Sequence, residues 1–99
     1  EVKKLCDSSV YSKITVEKIS DTLGYSVAHL NRVFKKEFYC TIGNYIISNK
    51  INAAKSLLSS TSLNIAEIAY LLSFTDEHYF SNLFKKKTGL SPKAYRNRK

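Results

Sequence analysis

The sequence predicts an all-α fold of about seven helices arranged as two similar halves. Three observations predict it. Apolar residues recur at helical and not at strand spacing, helix caps flank those apolar runs, and the second half of the chain repeats the pattern of the first.

Taken in order, a first helix is expected near 2–10. Val16, Ile19 and Leu23 form an i, i+3, i+7 stripe and place a second at 16–23. Leu30, Val33 and Phe34 give the buried face of a third at 27–38, and Ile47, Ile51, Ala54 and Leu58 run along a longer helix at 42–58, with Ile46, Ala53 and Leu57 beside them. Ser59-Ser60-Thr61-Ser62 reads as a polar break. A fifth helix at 65–72 carries Ile65, Ile68, Ala69 and Leu72, and Asn64 followed by Glu67 fits a capping box at its start. Phe80, Leu83 and Phe84 place a sixth at 77–88, with Gly89 where a left-handed C-cap belongs. Ser91-Pro92 opens the last, 92–97, with proline at the first helical position. No segment reads as a strand.

Composition narrows the class. The 99 residues suffice for one compact domain, and with 43% hydrophobic and 24% charged residues the chain reads as globular. Three glycines and one proline argue against a turn-rich all-β fold. Sixteen Lys and Arg against eight Asp and Glu give a formal charge of +8, which points to a polyanion or an acidic surface. No apolar run approaches the ~20 residues of a membrane span, and no signal peptide is visible. The missing initial Met reads as a fragment of a longer chain. Cys6 and Cys40 allow at most one bridge and read as reduced thiols of a cytoplasmic protein, small hydrophobes in their setting.

The repeat is the most informative feature. At a shift of 49, Val16, Ile19, Leu23, Tyr25 and Ser26 align with Ile65, Ile68, Leu72, Phe74 and Thr75. At a shift of 50, Leu30, Val33, Phe34, Lys35, Lys36, Thr41 and Tyr45 align with Phe80, Leu83, Phe84, Lys85, Lys86, Ser91 and Tyr95. Each unit is a short amphipathic helix, a tight turn and a longer helix ending in lysines, the layout of a helix-turn-helix whose second helix can enter a DNA major groove. The expected organisation is a first unit over 1–41, a linker helix over 42–58 and a second unit over 59–99. Opposite the apolar stripe, the second helix of the first unit carries Ala28, Asn31, Arg32 and Lys35; its counterpart carries His78, Ser81, Asn82 and Lys85. Arg and Asn can bond bidentately to guanine and adenine edges, and lysines reach phosphates. A linker of ~17 residues spans roughly 25 Å, which suits two reading helices about one DNA turn, ~34 Å, apart.

The segments ITVEKISDTLGYSVAHLNRVFKKEF, AAKSLL and NIAEIAYLLSFTDEHYFSNLFKKKTGLSPKAYR resemble the C-terminal DNA-binding domain of AraC/XylS-type transcription regulators, from about Ile14 to Arg96. The resemblance implies bacterial promoter binding that regulates transcription, as an activator or a repressor with RNA polymerase as a partner, behind an N-terminal sensing or dimerisation domain missing here. It places Ala28, Asn31, Arg32, Glu77, His78, Ser81 and Asn82 at base-contacting positions. Ser26, Lys35, Lys36, Thr75, Lys85 and Lys86 are expected on phosphates. The sequence departs from the family at Tyr39 and Ser73, where glycine is usual, and at Asn82 and Lys50, where arginine is common. With no arginine on its reading face and Asp76 and Glu77 at its start, the second unit is expected to supply less base-specific energy than the first.

His29 and His78 have no partner at metal-ligand spacing, so no metal and no cofactor is expected; His78 fits a DNA-facing role and His29 a packing or capping one. Phe34, Phe84, Tyr25, Phe74, Tyr45 and Tyr95 recur at repeat positions and read as core, while Tyr11, Tyr39 and Tyr70 stay unassigned. No phosphate-cradling glycine loop, nucleophile elbow or paired carboxylates suggest an enzyme. The rival class is a basic helical module for RNA, an acidic protein or an anionic membrane. Lysines spread over six of the seven predicted helices argue against a membrane-surface helix, and no exposed stacking platform argues for RNA.

Overall fold

A computed structural model of the chain describes residues 2–8 and 10–98. Seven helices follow one another: α1 (Val2–Ser8), α2 (Val16–Leu23), α3 (Val27–Phe38), α4 (Ile42–Ser60), α5 (Ile65–Leu71), α6 (Glu77–Thr88) and α7 (Pro92–Asn97). Among the described residues no strand forms, and no helix is long and apolar enough to cross a membrane. The chain divides into two compact units, Glu1–Asn49 and Lys50–Lys99, with the division inside α4.

Side chains set most helix starts. Thr15 accepts from the Lys18 amide at 3.1 Å, Ser26 from His29 at 3.1 Å, Asp76 from Tyr79 at 2.7 Å and Ser91 from Ala94 at 3.1 Å. Asn64 and Glu67 bond reciprocally to each other's amides at 2.8 Å, completing the expected capping box. Each such cap stabilises its helix by about 1 kcal/mol over alanine, by satisfying amides that no helical carbonyl reaches.

Three boundaries differ from expectation, the smallest difference being at α5, which stops at Leu71 with Leu72 as its cap. The first helix ends at Ser8; residue 9 lies outside the described residues, and Val10 is already in a turn. In the other direction α4 absorbs Ser59 and Ser60, so the polar break begins only at Thr61. The Ser60 and Thr61 hydroxyls donate to the carbonyls of Ser56 and Leu57, both at 2.6 Å, keeping the last turn wound. Arg96 then donates to the Leu58 and Thr61 carbonyls at 3.1 and 3.2 Å. A cation at a helix C-terminus is favoured by the macrodipole as well as by these bonds.

The core of the first unit is Cys6, Ile19, Leu30, Phe34, Ile42 and Ile46. Burial pushes the Cys6 thiol up to about 11, with Asp7 adding to the effect, and both cysteines are unbridged. Phe34 packs on Phe38 at 4.5 Å and edge-on to Tyr45 at 5.3 Å. In the second unit Ile51, Ala54, Leu58, Ile68, Ala69, Leu72, Phe80 and Phe84 are buried, and Tyr95 meets Phe84 edge-on at 5.5 Å as Tyr45 meets Phe34. While Ile47, Phe74 and Leu83 are half-buried, two residues read as core are exposed. Val33 is 53% exposed, because it sits beside Glu37 on the flank of α3 and outside the narrow stripe of Leu30, Phe34 and Phe38. Tyr25 is 56% exposed; its phenol would need a hydrogen-bond partner if buried, whereas Phe74 in the second unit has none to satisfy and packs on Phe80 at 5.0 Å.

Asp7 ties α1 to α4. Its Oδ1 accepts from the Tyr45 hydroxyl and from Asn49 Nδ2, both at 2.9 Å, while Oδ2 pairs with Lys3 at 2.8 Å. The hydrogen bonds from Lys3 and Tyr45 hold its carboxyl below the ordinary value of 3.8. A carboxyl whose pKa is lower folded than unfolded contributes stability above the unfolded value and loses it as pH falls through the folded one. The urea midpoint of the first unit is therefore expected to drop as pH is taken below about 4, and Asp7→Asn should lose stability at pH 7 and flatten that dependence. An unchanged acid profile in Asp7→Asn would show that the bonds contribute nothing to folding.

Each unit also needs a left-handed backbone at two places. Gly24 (φ 77°) supplies one in the first unit and Gly89 (φ 88°) one in the second. The remaining two are filled by residues with a Cβ: Ser73 (φ 60°) in the turn after α5, and Tyr39 (φ 63°) after α3. Such a conformation costs a non-glycine residue roughly 1 kcal/mol.

Candidate nucleic-acid interface

In the first unit, α2 and α3 are joined by Gly24, Tyr25 and Ser26, a turn short enough to fix the angle between them. Leu30 and Phe34 bury one side of α3 and leave Ala28, Arg32, Lys35 and Lys36 exposed on the other. Ser26 sits at the N-cap, its hydroxyl already engaged with the His29 amide. Lys35 and Lys36 occupy the last turn, where the macrodipole favours them.

Arg32 is held by its own helix. Its Nη2 lies 3.2 Å from His29 Nδ1, and the His29 ring stacks on Tyr25 with centroids 5.1 Å apart. Tyr25 thus works as a surface buttress, which gives its exposure a use. His29 packs near the first turn as expected, and its Nδ1 faces the guanidinium as the acceptor.

Asn31 differs from its neighbours. It is half-buried, and its Oδ1 accepts from the Ile42 amide at 3.1 Å, next to Thr41, which accepts from Asn44 at 3.2 Å. Asn31 and Thr41 together cap the start of α4. A carboxamide reads adenine bidentately with both its oxygen and its nitrogen, and here the oxygen is committed to the fold. In the second unit the matched pair is Ser81 and Pro92, and proline has no amide hydrogen to satisfy.

In the second unit α6 buries Phe80 and Phe84 and exposes Glu77, His78, Asn82, Lys85 and Lys86, with Ser81 half-buried. Lys85, Lys86 and Lys87 form its last turn. Thr75 is exposed in the turn, but the residue that caps α6 is Asp76. By cap, Ser26 therefore corresponds to Asp76 and not to Thr75, and the extra residue of the second unit lies between Ser73 and Asp76. Lys50 braces this turn from below. It is only 6% exposed, and its ammonium donates to the carbonyl of Leu72, the last residue of α5's cap, at 2.7 Å. Burial lowers its pKa below the ordinary 10.5.

Sequence reasoning did not find the brace roles of Asn31 and Lys50. Pairing Asn31 with Ser81, and Ile42 with Pro92, was the available signal for the first. Among the described residues no group of three or more His, Cys, Asp or Glu is placed to hold a metal ion.

Two units of this kind, each presenting an exposed polar face and a lysine-rich end on its second helix, define a DNA-binding domain of the double helix-turn-helix class. The sequence pattern of the family described as Helix-turn-helix domain matches residues 19–98. The chain belongs to the AraC/XylS family of such domains. It is 35% identical over 95 residues to the bifunctional transcriptional activator/DNA repair enzyme AdaA of Bacillus subtilis, covering 96% of this chain and 45% of that protein. It is 38% identical over 84 residues to the xylose operon regulatory protein of Escherichia coli K12, covering 85% and 21% respectively. The C-terminal domain of the two-component response regulator yesN of Fusobacterium nucleatum is 32% identical and superposes with a TM-score of 0.92, over 97% of this chain and 94% of that one. The chain spans less than half the length of the two curated relatives.

Proposed function

We propose that this chain binds duplex promoter DNA sequence-specifically and regulates transcription, with α3 and α6 entering successive major grooves. The observation that carries the reading is the duplication itself. In both units the second helix buries its inner side (Leu30 and Phe34, Phe80 and Phe84), its opposite face is polar and exposed, and its last turn is basic. The names of two relatives, a transcriptional activator and an operon regulatory protein, support it.

In this reading Ala28, Arg32, Glu77, His78, Ser81 and Asn82 face base edges, and Ser26, Lys35, Lys36, Thr75, Lys85 and Lys86 lie along phosphates. Asn31 supports the first reading helix and contributes its amide nitrogen alone. The first helix-turn-helix, expected over 1–41, and the second, expected over 59–99, are joined by the linker helix, for which 42–58 was expected. The whole protein is proposed to act in the bacterial cytoplasm, with a sensing or dimerisation domain ahead of this one and RNA polymerase as a partner. The domain itself works by binding and not by catalysis.

Selection from a random duplex pool tests the reading. It is expected to return two short conserved blocks about one helical turn apart. Affinity for the selected duplex should fall with salt at a log–log slope of about −0.9 per phosphate neutralised. A single block would remove one of the two units from the reading, and salt-insensitive binding would remove the interface as drawn.

A further inference from the structure

We propose that Tyr39 is a DNA-contact residue, its hydroxyl docking on a backbone phosphate beside the groove that α3 enters. The inference rests on α3 being a reading helix and extends the interface past its C-terminal end. Tyr39 closes α3 in the left-handed region, at φ 63°, with its amide donating to the Lys35 carbonyl at 2.9 Å. Gly89 does the same for α6, at φ 88°, with its amide on the Lys85 carbonyl at 2.8 Å. The two caps are the same device, and any residue's amide serves it.

The side chain is what differs. A bulky residue in this region is a true outlier, whereas glycine adopts it freely. A Cβ built on Gly89 would meet nothing within 4 Å, so the conformation, not crowding, sets the penalty there. Burial of the ring does not offset that penalty at Tyr39, which is 86% exposed. Within the chain, glycine would do the work of Tyr39 at lower cost. Its ring stands one residue beyond α3, next along the chain from the exposed, basic last turn carrying Lys35 and Lys36. What that end of the helix attracts is an anion, and a phenol hydroxyl is a hydrogen-bond donor of the kind that fixes register on phosphate oxygens.

The test compares the 99-residue chain with its Tyr39→Phe, Tyr39→Gly and Arg32→Ala variants. Each is titrated against a selected duplex and a scrambled one across a salt series. Tyr39→Phe keeps the ring and the backbone strain and removes only the hydroxyl. It is expected to lose affinity about three- to tenfold, the scale of one ordinary hydrogen bond net of its exchange with water. The loss should be equal on both duplexes, because a phosphate contact is blind to sequence, and the salt slope should not change, because a phenol releases no counterion. Tyr39→Gly should lose at least as much affinity while melting at or above the parent temperature. Binding by Tyr39→Phe within twofold of the parent overturns the proposal, including the case where Tyr39 serves a protein partner instead. Arg32→Ala keeps the two failures apart. If it weakens binding and Tyr39→Phe does not, only the part assigned to Tyr39 falls; if neither does, α3 is not a reading helix.

Discussion

Arg32→Ala is expected to weaken binding to the selected duplex by about 1–3 kcal/mol, the range of a good bidentate base contact. At 1.4 kcal/mol per decade this is roughly a five- to 140-fold loss. Three features of the first unit support so large an effect. Arg32 is exposed in the middle of the reading face, its guanidinium is placed by His29, and His29 is in turn placed by Tyr25. Ordering a long flexible side chain before binding reduces the entropy lost on contact. Asn82→Ala, in the second unit, should cost distinctly less. Asn82 is exposed on a helix that begins with Asp76 and Glu77, whose charges oppose a nearby phosphate even as they suit the helix dipole. Arg32→Lys should not rescue the loss, because an ammonium lacks the planar fork. Fluorescence anisotropy at fixed salt measures all three, and equal losses from Arg32→Ala and Asn82→Ala would sink the asymmetry.

Lys50→Ala should destabilise the second unit by about 2–4 kcal/mol, the range for deleting a long buried side chain. Two losses combine there. The four-carbon stem leaves a void, and the Leu72 carbonyl loses a charge-assisted donor at 2.7 Å. Lys50→Met separates them, since it roughly keeps the volume and removes the donor; about 1–2 kcal/mol is expected. Desolvating the ammonium offsets part of the gain, as its lowered pKa records. A lysine whose pKa is lower folded than unfolded makes stability rise with pH, from the lowered folded value up to the ordinary 10.5. That rise should be present in the parent and missing in Lys50→Met. Urea unfolding gives the stabilities, and amide exchange at Ser73 and Phe74 reports on the turn. If Lys50→Met is as stable as the parent, the brace carries no weight.

Much of the fold was legible because its signals are local. The Asn64–Glu67 box, Ser91-Pro92 and Gly89 each fix a helix end through neighbours three or four residues away, and all three appear as read. The stripes of α2, α4, α5 and α6 also declare their buried sides. What was not legible depends on packing between distant segments. Val33 looks apolar and periodic, yet nothing in its own helix says that the stripe is too narrow to cover it. Tyr25 was read from its repeat partner Phe74, and the one atom that separates them decides the outcome. The end of α4 was misplaced because serines and threonines favour caps and turns in isolation, whereas here their hydroxyls bond back into the helix and Arg96 arrives from α7 to finish it. Within the interface, residue types on the exposed faces were readable, and the commitment of Asn31 to α4 was not, since its partner lies eleven residues on.

The Asn31–Ile42 bond has an outcome for anyone altering the specificity of this domain. A library randomised at position 31 would mix two phenotypes, changed base preference and a loosened start of α4, and most of its members would be lost to the second. Position 81 carries no such debt, because the proline opposite it in the second unit asks for no acceptor. Diversification should start at Ser81 and Asn82, leaving Asn31 as parental until the scaffold has been stabilised elsewhere.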